Sequence, residues 1–161
     1  MLEQRVHSNQ MPIAIRNSII DISSEETTRE LAKDLSNYLK GGELIFLYGE
    51  MGVGKTTFVK YLVNNFQTKK KLQITEVTSP TFNLLNEYEL DNLVIKHYDL
   101  FRIKDKSEIE NLNLFDSDKN TISLIEWPQL INKKNLIKTM DLTFNYENEL
   151  NNRSVKIDGL D

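Results

Sequence analysis

The segment Gly49–Thr56 constrains the fold more than any other part of this sequence. It reads Gly-Glu-Met-Gly-Val-Gly-Lys-Thr, which matches the pattern G-x-x-x-x-G-K-[ST]. The apolar run Glu43–Tyr48 precedes it, and apolar residues with helical spacing follow it. Glycines let the backbone wrap closely enough for N–H groups to point at phosphate oxygens, with the positive end of the next helix behind them. The pattern therefore predicts a strand, a phosphate-binding loop and a helix, in that order.

Within this loop, the motif assigns two side chains a direct chemical role. Lys55 is predicted to bridge the β- and γ-phosphates of a nucleotide, and the Thr56 hydroxyl to bind magnesium. Thr57 is either a further phosphate contact or a residue of the helix surface. The predicted nucleotide contacts in this segment are Gly49, Glu50, Met51, Gly52, Val53, Gly54, Lys55, Thr56 and Thr57.

The length and composition exclude several other kinds of protein. The 161 residues fit one domain, with residues 1–10 as a loose tail and residues 11–161 as the folded part. The absence of cysteine excludes disulfides, thiolate metal sites and cysteine nucleophiles, and two histidines are too few for a histidine-rich metal centre. A net charge of −4 disfavours a surface that grips nucleic-acid phosphates throughout. Without an apolar run of membrane-spanning length or a signal-peptide core, the chain is expected to be cytoplasmic.

The rest of the pattern predicts helices, strands and hairpins. Ser23 or Ser24 caps the first helix, with Glu26 at capping-box spacing from Ser23; Asp105–Asn111 forms a short helix, and Asp91-Asn92 is a hairpin turn. Crossover helices require parallel neighbours and two-residue turns require antiparallel ones, so the fold is predicted to be an α/β sandwich with a mixed sheet. The predicted strands are Ile13–Ile20, Glu43–Tyr48, Gln73–Val77, Phe82–Leu90, Leu93–Tyr98, Thr121–Ile125, Asp141–Tyr146 and Arg153–Ile157.

Two acids end apolar strands of this predicted sheet. Asp99 ends Leu93–Tyr98, and Glu126 ends Thr121–Ile125. Ligands of open α/β sheets collect beyond the carboxyl ends of the strands, so either acid could hold the metal or orient the attacking water. The alternative is an ordinary solvated acid at a strand end. Asp91 lies in the hairpin turn and is expected at the opposite rim.

Four further side chains leave alternatives open. Pro80 stiffens the backbone between Ser79 and Thr81, so their hydroxyls could sense a γ-phosphate or belong to an ordinary turn. His97 alternates with Asp99 along one strand face and is more readily a packed, hydrogen-bonded histidine than a catalytic one. Trp127 could be a core residue, a cover for the nucleotide or an interface anchor.

Four segments together carry a resemblance to a known family. They read YGEMGVGKTTF, VTSPTFNLLNEY, HYDLFRI and LIEWP, and in this order they closely resemble the bacterial ATPase family of tRNA threonylcarbamoyladenosine biosynthesis, known as TsaE. The resemblance runs from about Ser23 to Ile157. It implies an α/β fold, a single P-loop NTPase-like three-layer sandwich with a mixed, partly parallel sheet and a C-terminal β-hairpin.

The resemblance also implies an activity and partners. Proteins of this family bind ATP weakly, hydrolyse it slowly and dock onto a two-protein complex of the TsaB and TsaD type. That complex transfers a threonylcarbamoyl group to adenosine 37 of tRNAs that read codons beginning with A, and ATP hydrolysis is thought to reset it between turnovers. The implied cofactors are ATP and Mg²⁺, with tRNA contacted only indirectly and no membrane involved.

Position by position, the resemblance assigns the site. It implies that Lys55, Asp99 and Glu126 are catalytic, and that Thr56, Glu126 and Asp99 bind the metal. The further nucleotide contacts it implies are Glu25 and Thr28 near the adenine and ribose, Trp127 at the nucleotide or partner surface, and Arg153 on the nucleotide.

Three other functions compete with this interpretation. A small nucleoside or nucleotide kinase needs several lid arginines, but only Arg102 and Arg153 lie downstream of Thr57. A GTPase needs an acid in its guanine-reading motif, which residues 132–135 lack. A nucleotide-dependent binding module without useful turnover differs from a slow ATPase only in its rate.

Overall fold

A computed structural model describes residues 17–115, 118–148 and 151–159, so the predicted tail over residues 1–10 lies outside it. The described part contains three helices and a seven-stranded sheet. The helices are α1 (Glu25–Tyr38), α2 (Lys55–Lys69) and α3 (Lys106–Glu110). The strands are β1 (Ile19–Asp21), β2 (Leu44–Tyr48), β3 (Leu85–Leu90), β4 (Leu93–Asp99), β5 (Thr121–Glu126), β6 (Thr139–Tyr146) and β7 (Arg153–Gly159).

The sheet is mixed, as predicted. Its order is β1-β7-β6-β2-β5-β4-β3, and the four neighbouring strands β6, β2, β5 and β4 are parallel. Antiparallel strands flank this parallel centre: β3 pairs with β4, β7 pairs with β6, and β1 pairs with β7. The predicted C-terminal hairpin is therefore confirmed as β6–β7. The parallel centre brings the carboxyl ends of β2, β4 and β5 to one edge.

The two faces of the sheet are covered unequally. Helices α1 and α2 cover one face, where Leu35 and Phe58 are buried in the same core as Ile45 of β2. The other face carries a smaller core, in which Ile109 of α3 packs with Phe46 and residues of the loop after β5. Helices on both faces produce the expected sandwich, although in the described part of the chain the second outer layer contains one helix of five residues.

Helix α1 begins after Ser24, which is the cap that the structure selects from the two candidates. The Ser24 side chain accepts a hydrogen bond from the Glu26 N–H at 3.2 Å. Ser23 instead accepts one from the Arg153 N–H at 2.9 Å, and the Glu26 carboxylate pairs with Arg29 at 3.0 Å. The capping box between Ser23 and Glu26 was therefore a wrong prediction, because Ser23 is used to join α1 to the last strand.

Several predicted strands differ from the observed ones. The prediction of a strand over Gln73–Val77 is wrong: Thr75 donates its N–H to the Gln67 side chain at 3.2 Å and receives the Gln67 amide hydrogen at 2.8 Å. This clasp ties the segment to α2, while β3 occupies the sheet position next to β4. Strand β3 starts at Leu85 because Leu84 has a left-handed φ of 64° in a turn. Of the predicted strand Ile13–Ile20, residues 13–16 lie outside the described part, and β1 spans Ile19–Asp21.

None of the helices in the described ranges is long and apolar enough to cross a membrane.

Candidate functional site

The loop between β2 and α2 has the backbone that its glycines predict. Gly49, Gly52 and Gly54 have φ values of 142°, 79° and 118°, which side chains other than glycine rarely adopt. Gly49 also lies in close packing, because a Cβ there would come within 2.8 Å of the Phe144 carbonyl oxygen and 2.9 Å of Val53 Cγ1. Strand β6 thus packs against the first residue of the loop, which leaves room for glycine there and for no larger residue.

Lys55 lies buried at the start of α2. Its Nζ donates a hydrogen bond to the Gly49 carbonyl oxygen at 2.5 Å and lies 4.0 Å from the centroid of the Trp127 ring. Burial lowers the pKa of the Lys55 ammonium below its ordinary value, and the negative charges of Glu126 and Asp99 oppose that shift. The lysine therefore sits in a desolvated position where an anionic ligand would be a strong partner.

The two predicted acids are neighbours on one face of the sheet. Asp99 and Glu126 are register partners in the parallel strands β4 and β5, and both side chains are buried. They differ in their hydrogen bonds. Asp99 accepts from the Phe101 N–H at 3.0 Å through Oδ1 and from Ser79 Oγ at 2.9 Å through Oδ2, whereas Glu126 is bonded through Oε2 to His97 Nε2 at 3.0 Å. Asp91 lies in the β3–β4 turn at the other end of these strands, as expected.

The segment containing Ser79 and Thr81 is attached to Asp99. Both hydroxyls reach Asp99 Oδ2, at 2.9 Å and 3.4 Å, and the two hydroxyl oxygens are 3.1 Å apart. The stiff backbone around Pro80 thus presents these hydroxyls toward the end of β4. The sequence left open whether these hydroxyls sense a γ-phosphate or belong to an ordinary turn, and the structure adds their contact with the Asp99 carboxylate.

Trp127 follows Glu126 in a strained backbone conformation. Its φ is 56°, which is unusual for a bulky side chain and is found mainly where the surrounding structure enforces it. The half-buried ring packs against Phe101 in a tilted arrangement, with centroids 4.9 Å apart and an interplanar angle of 57°, and it covers the Lys55 ammonium. Trp127 is therefore part of the wall of the site, which favours the cover over the core residue among its three predicted roles.

These groups surround a cavity of about 240 Å³ at the carboxyl edge of the sheet. Most of the predicted site residues line it. The lining residues are Met51, Gly52, Gly54, Lys55, Thr56, Thr57, Ser79, Thr81, Asp99, Phe101, Glu126, Trp127 and Arg153. The structure thus brings the loop, both acids and both loop hydroxyls to one place.

A second, larger cavity of about 440 Å³ shares Gly54, Thr57 and Arg153 with the first. Glu25 and Thr28, which the resemblance placed near adenine and ribose, both line it. The Tyr61 hydroxyl of α2 donates a hydrogen bond to Glu25. A ligand with an anionic part and a polar part could therefore lie across both cavities.

Some placements were not predicted. Gly49 and Glu50 line neither cavity, because Gly49 is packed against β6 and Glu50 points to solvent. Tyr146 lies beside the loop, its hydroxyl 3.5 Å from a Cβ built on Gly52 and its ring 5.6 Å from the Arg153 guanidinium. The position of Tyr146 follows from its pairing with Arg153 in the β6–β7 hairpin, a pairing that was not predicted from the sequence. The prediction of a packed, hydrogen-bonded His97 is confirmed, but its partner, Glu126, was not predicted.

The residues present fit a magnesium ion only together with a ligand. Thr56 and Glu126 offer hydroxyl and carboxylate oxygens, the donor type that Mg²⁺ prefers. Over the described ranges, no group of three or more His, Cys, Asp or Glu side chains is arranged to hold a metal by itself. Magnesium is commonly bound by one or two carboxylates plus phosphates and water, so this donor set is adequate for it.

Comparisons with known proteins identify the family to which this chain is similar. The model of the family described as Threonylcarbamoyl adenosine biosynthesis protein TsaE matches residues 22–155. The tRNA threonylcarbamoyladenosine biosynthesis protein TsaE of Rickettsia conorii is 37% identical over 132 residues, which cover 82% of this chain and 72% of that protein. The protein of the same name from Aquifex aeolicus is 46% identical over 84 residues, covering 52% of this chain and 61% of that protein.

The fold also resembles a solved one. The crystal structure of YdiB from Bacillus subtilis superimposes with a TM-score of 0.65 at 22% identity, covering 87% of this chain and 83% of that one. This likeness confirms the predicted α/β, P-loop NTPase-like fold. With a family model that matches most of its length and relatives of this similarity, the chain belongs to the TsaE family of threonylcarbamoyl adenosine biosynthesis proteins.

Proposed function

We propose that this chain binds Mg-ATP and hydrolyses it slowly, as the accessory ATPase of threonylcarbamoyladenosine formation at adenosine 37 of tRNA. The observation that carries the proposal is the single cavity lined by Lys55, Thr56, Asp99 and Glu126 at the N-terminus of α2. A lysine and the exposed N–H groups of a helix N-terminus favour a polyphosphate, and hard oxygen donors favour magnesium.

We assign a separate role to each side chain that binds the phosphates or the metal. Lys55 exchanges its bond to the Gly49 carbonyl for phosphate oxygens, which match its charge better. Thr56 and Glu126 hold the magnesium, which would neutralise charge on the β- and γ-phosphates when bound. We assign the direct contact to Glu126 because the hydrogen bonds of the described residues engage only its Oε2, whereas both oxygens of Asp99 already accept.

Asp99 then has an organising role. Its carboxylate keeps the Ser79 and Thr81 hydroxyls at the cavity, where they can hydrogen-bond the terminal phosphate or the attacking water. In the second cavity, Glu25 and Thr28 contact the nucleoside, and Arg153 lies between the two ends of the ligand. Together the two cavities provide separate sites for the phosphates and the nucleoside.

Family membership supports the biological setting of this activity. We propose that the partners are the TsaB and TsaD type proteins and that ATP hydrolysis resets their complex between turnovers. With a net charge of −4, the chain is better suited to act through proteins that hold the tRNA than to grip it directly. Hydrolysis releases ADP and phosphate, and its useful effect is then a change in the state of a partner protein.

Nucleotide binding is tested with a matched pair of lysine variants on α2. Lys55→Ala should weaken ATP binding at least about tenfold, since it removes a charge-assisted contact. Lys60→Ala, which removes an exposed lysine one and a half turns further along α2, should bind ATP like the wild type. Equal affinity in Lys55→Ala and the wild type, measured by calorimetry with Mg-ATP, would refute the site.

Hydrolysis is tested separately from binding. Glu126→Gln should retain most of the ATP affinity and lose most of the phosphate release, because the acid acts on the metal and not on the nucleoside. The rate of phosphate release and the formation of a complex should then be measured with TsaB and TsaD type proteins, with and without ATP. Transfer of phosphate to a nucleoside acceptor would favour a kinase, and ATP-dependent association without any turnover would favour a binding module.

A further inference from the structure

The buried contact between His97 and Glu126 has no part in the proposed chemistry so far. Both side chains are almost fully buried, and His97 Nε2 lies 3.0 Å from Glu126 Oε2. A carboxylate only accepts hydrogen bonds, so the hydrogen lies on Nε2. The other ring nitrogen, Nδ1, is buried and has no hydrogen-bond partner in the described part of the protein.

Packing alone does not explain this histidine. A buried polar atom without a partner destabilises the folded state, and an apolar side chain would fill the same space without that penalty. The ring therefore has one directional interaction, and its only target is the acid proposed to bind magnesium. The register of the strands explains why His97 can reach Glu126. His97 pairs with Leu124, two residues before the pair formed by Asp99 and Glu126, and therefore lies on the same face of the sheet.

Lys55 is the competing partner for Glu126. Its ammonium is desolvated and attracted by the charges of Glu126 and Asp99, yet none of the ion pairs within the described ranges joins it to either acid. Instead it is bonded to the Gly49 carbonyl and covered by Trp127. Opposite charges in a poorly solvated cavity attract each other, yet each of these two groups is bonded to another partner, Lys55 to Gly49 and Glu126 to His97.

We propose that His97 is a positioning residue whose Nε2–H holds Glu126 away from the Lys55 ammonium, so that the acid and the lysine stay available to different parts of the bound nucleotide. The effect on nucleotide binding rests on the proposed ATPase function. We expect that loss of the Nε2–H lets Glu126 turn toward Lys55, which removes a magnesium ligand and a phosphate ligand at once. Outer partners that orient metal ligands typically change affinity or activity by about 10–100-fold.

Three variants of His97 separate hydrogen bonding from packing. The amide nitrogen of Gln lies as far along the side chain as Nε2, so His97→Gln can still donate to Glu126. The amide nitrogen of Asn lies at the depth of Nδ1, so His97→Asn cannot reach it. His97→Leu fills the apolar space without a donor and must behave like His97→Asn. Each His97 substitution is introduced into the wild type and into the Glu126→Gln variant. Circular dichroism shows which of the resulting proteins are folded, and only these are compared.

The first measurement uses the nucleotide-free protein and the emission of Trp127, which is the single tryptophan and lies over Lys55. His97→Asn and His97→Leu should shift this emission, because Lys55 is drawn toward Glu126. His97→Gln should not shift it. In the Glu126→Gln background the charge of Glu126 is gone and only that of Asp99 still attracts the lysine, so none of the three substitutions should shift the emission. Equal shifts in both backgrounds, or none in either, would overturn the proposal.

The second measurement is ATP affinity in EDTA, which removes any contribution of the metal. His97→Asn and His97→Leu should weaken binding about tenfold when Glu126 is present, as expected for a loss of the Lys55 contact with phosphate. They should change the affinity by less than about twofold when residue 126 is Gln. Equal losses in both backgrounds would mean a purely structural histidine. If the wild type binds no ATP, the proposed function fails, and the Trp127 emission still decides whether His97 separates the two charges.

Discussion

The packing of Gly49 against β6 leads to a quantitative prediction with a built-in control. Gly49→Ala places a Cβ 2.8 Å from the Phe144 carbonyl oxygen and 2.9 Å from Val53 Cγ1, at a φ of 142°. The unfavourable backbone costs about 1–3 kcal/mol and the forced repacking about another 1–3 kcal/mol. The free energy of unfolding should therefore fall by about 2–6 kcal/mol.

Gly52→Ala is the matched control, because it shares the left-handed backbone and lacks the clash. Its φ is 79°, and the nearest neighbour of the added Cβ is the Tyr146 hydroxyl at 3.5 Å. Backbone strain alone predicts a loss of about 1–2 kcal/mol. For a domain of this size each kcal/mol lowers Tm by about 2–4 °C.

The assay is urea unfolding of the nucleotide-free protein, followed by circular dichroism, for the wild type and both variants. Working without nucleotide separates the effect on the fold from any effect on binding. The reasoning is refuted if Gly49→Ala is no less stable than Gly52→Ala, since the contact with Phe144 would then contribute nothing.

Three further predictions concern other parts of the molecule. Because burial lowers the pKa of Lys55, the folded chain releases this proton at a lower pH than the unfolded chain does. The stability of the wild type, relative to that of Lys55→Met, should therefore rise as the pH increases toward the ordinary value of 10.5. Parallel pH profiles in urea titrations would contradict this. Glu43→Ala removes the buried carboxylate that accepts hydrogen bonds from the Lys40 and Gly41 N–H groups, at 2.8 Å and 2.7 Å. The free energy of unfolding should fall by about 2–5 kcal/mol in the same assay. The exposed residue Glu30 serves as the control, and Glu30→Ala should lower it by about 0.5 kcal/mol or less. Gln67→Leu removes both hydrogen bonds to Thr75 and should speed amide hydrogen exchange at Thr75. Exchange at Leu62, in the centre of α2, should not change. Unchanged exchange at Thr75 would show that Gln67 does not hold this segment.

Local patterns predicted the parts of the fold that depend on local interactions. The strand, loop and helix around Gly49–Thr56 follow from apolar runs and glycines that need no distant partner. The meeting of Asp99 and Glu126 also followed from sequence, because parallel strands bring their carboxyl ends to one edge.

Long-range side-chain contacts explain the failures. Gln73–Val77 has the composition of a strand, but Gln67 on the preceding helix satisfies the Thr75 N–H that a neighbouring strand would otherwise bond. The same holds in the site: Ser79 bonds an acid twenty positions away, and His97 bonds one twenty-nine positions away. No periodicity encodes such pairs, because they depend on strand register.

The register of β4 and β5 also determines at which stage of folding Asp99 and Glu126 come together. A shift of either strand by one residue would turn Asp99 or Glu126 to the opposite face of the sheet, so only the native pairing assembles the two acids. Because these strands lie inside the parallel centre, we expect the pairing to form together with the main core. The two acids should then come together in the same cooperative transition as the domain, so that a partly unfolded chain would lack the site.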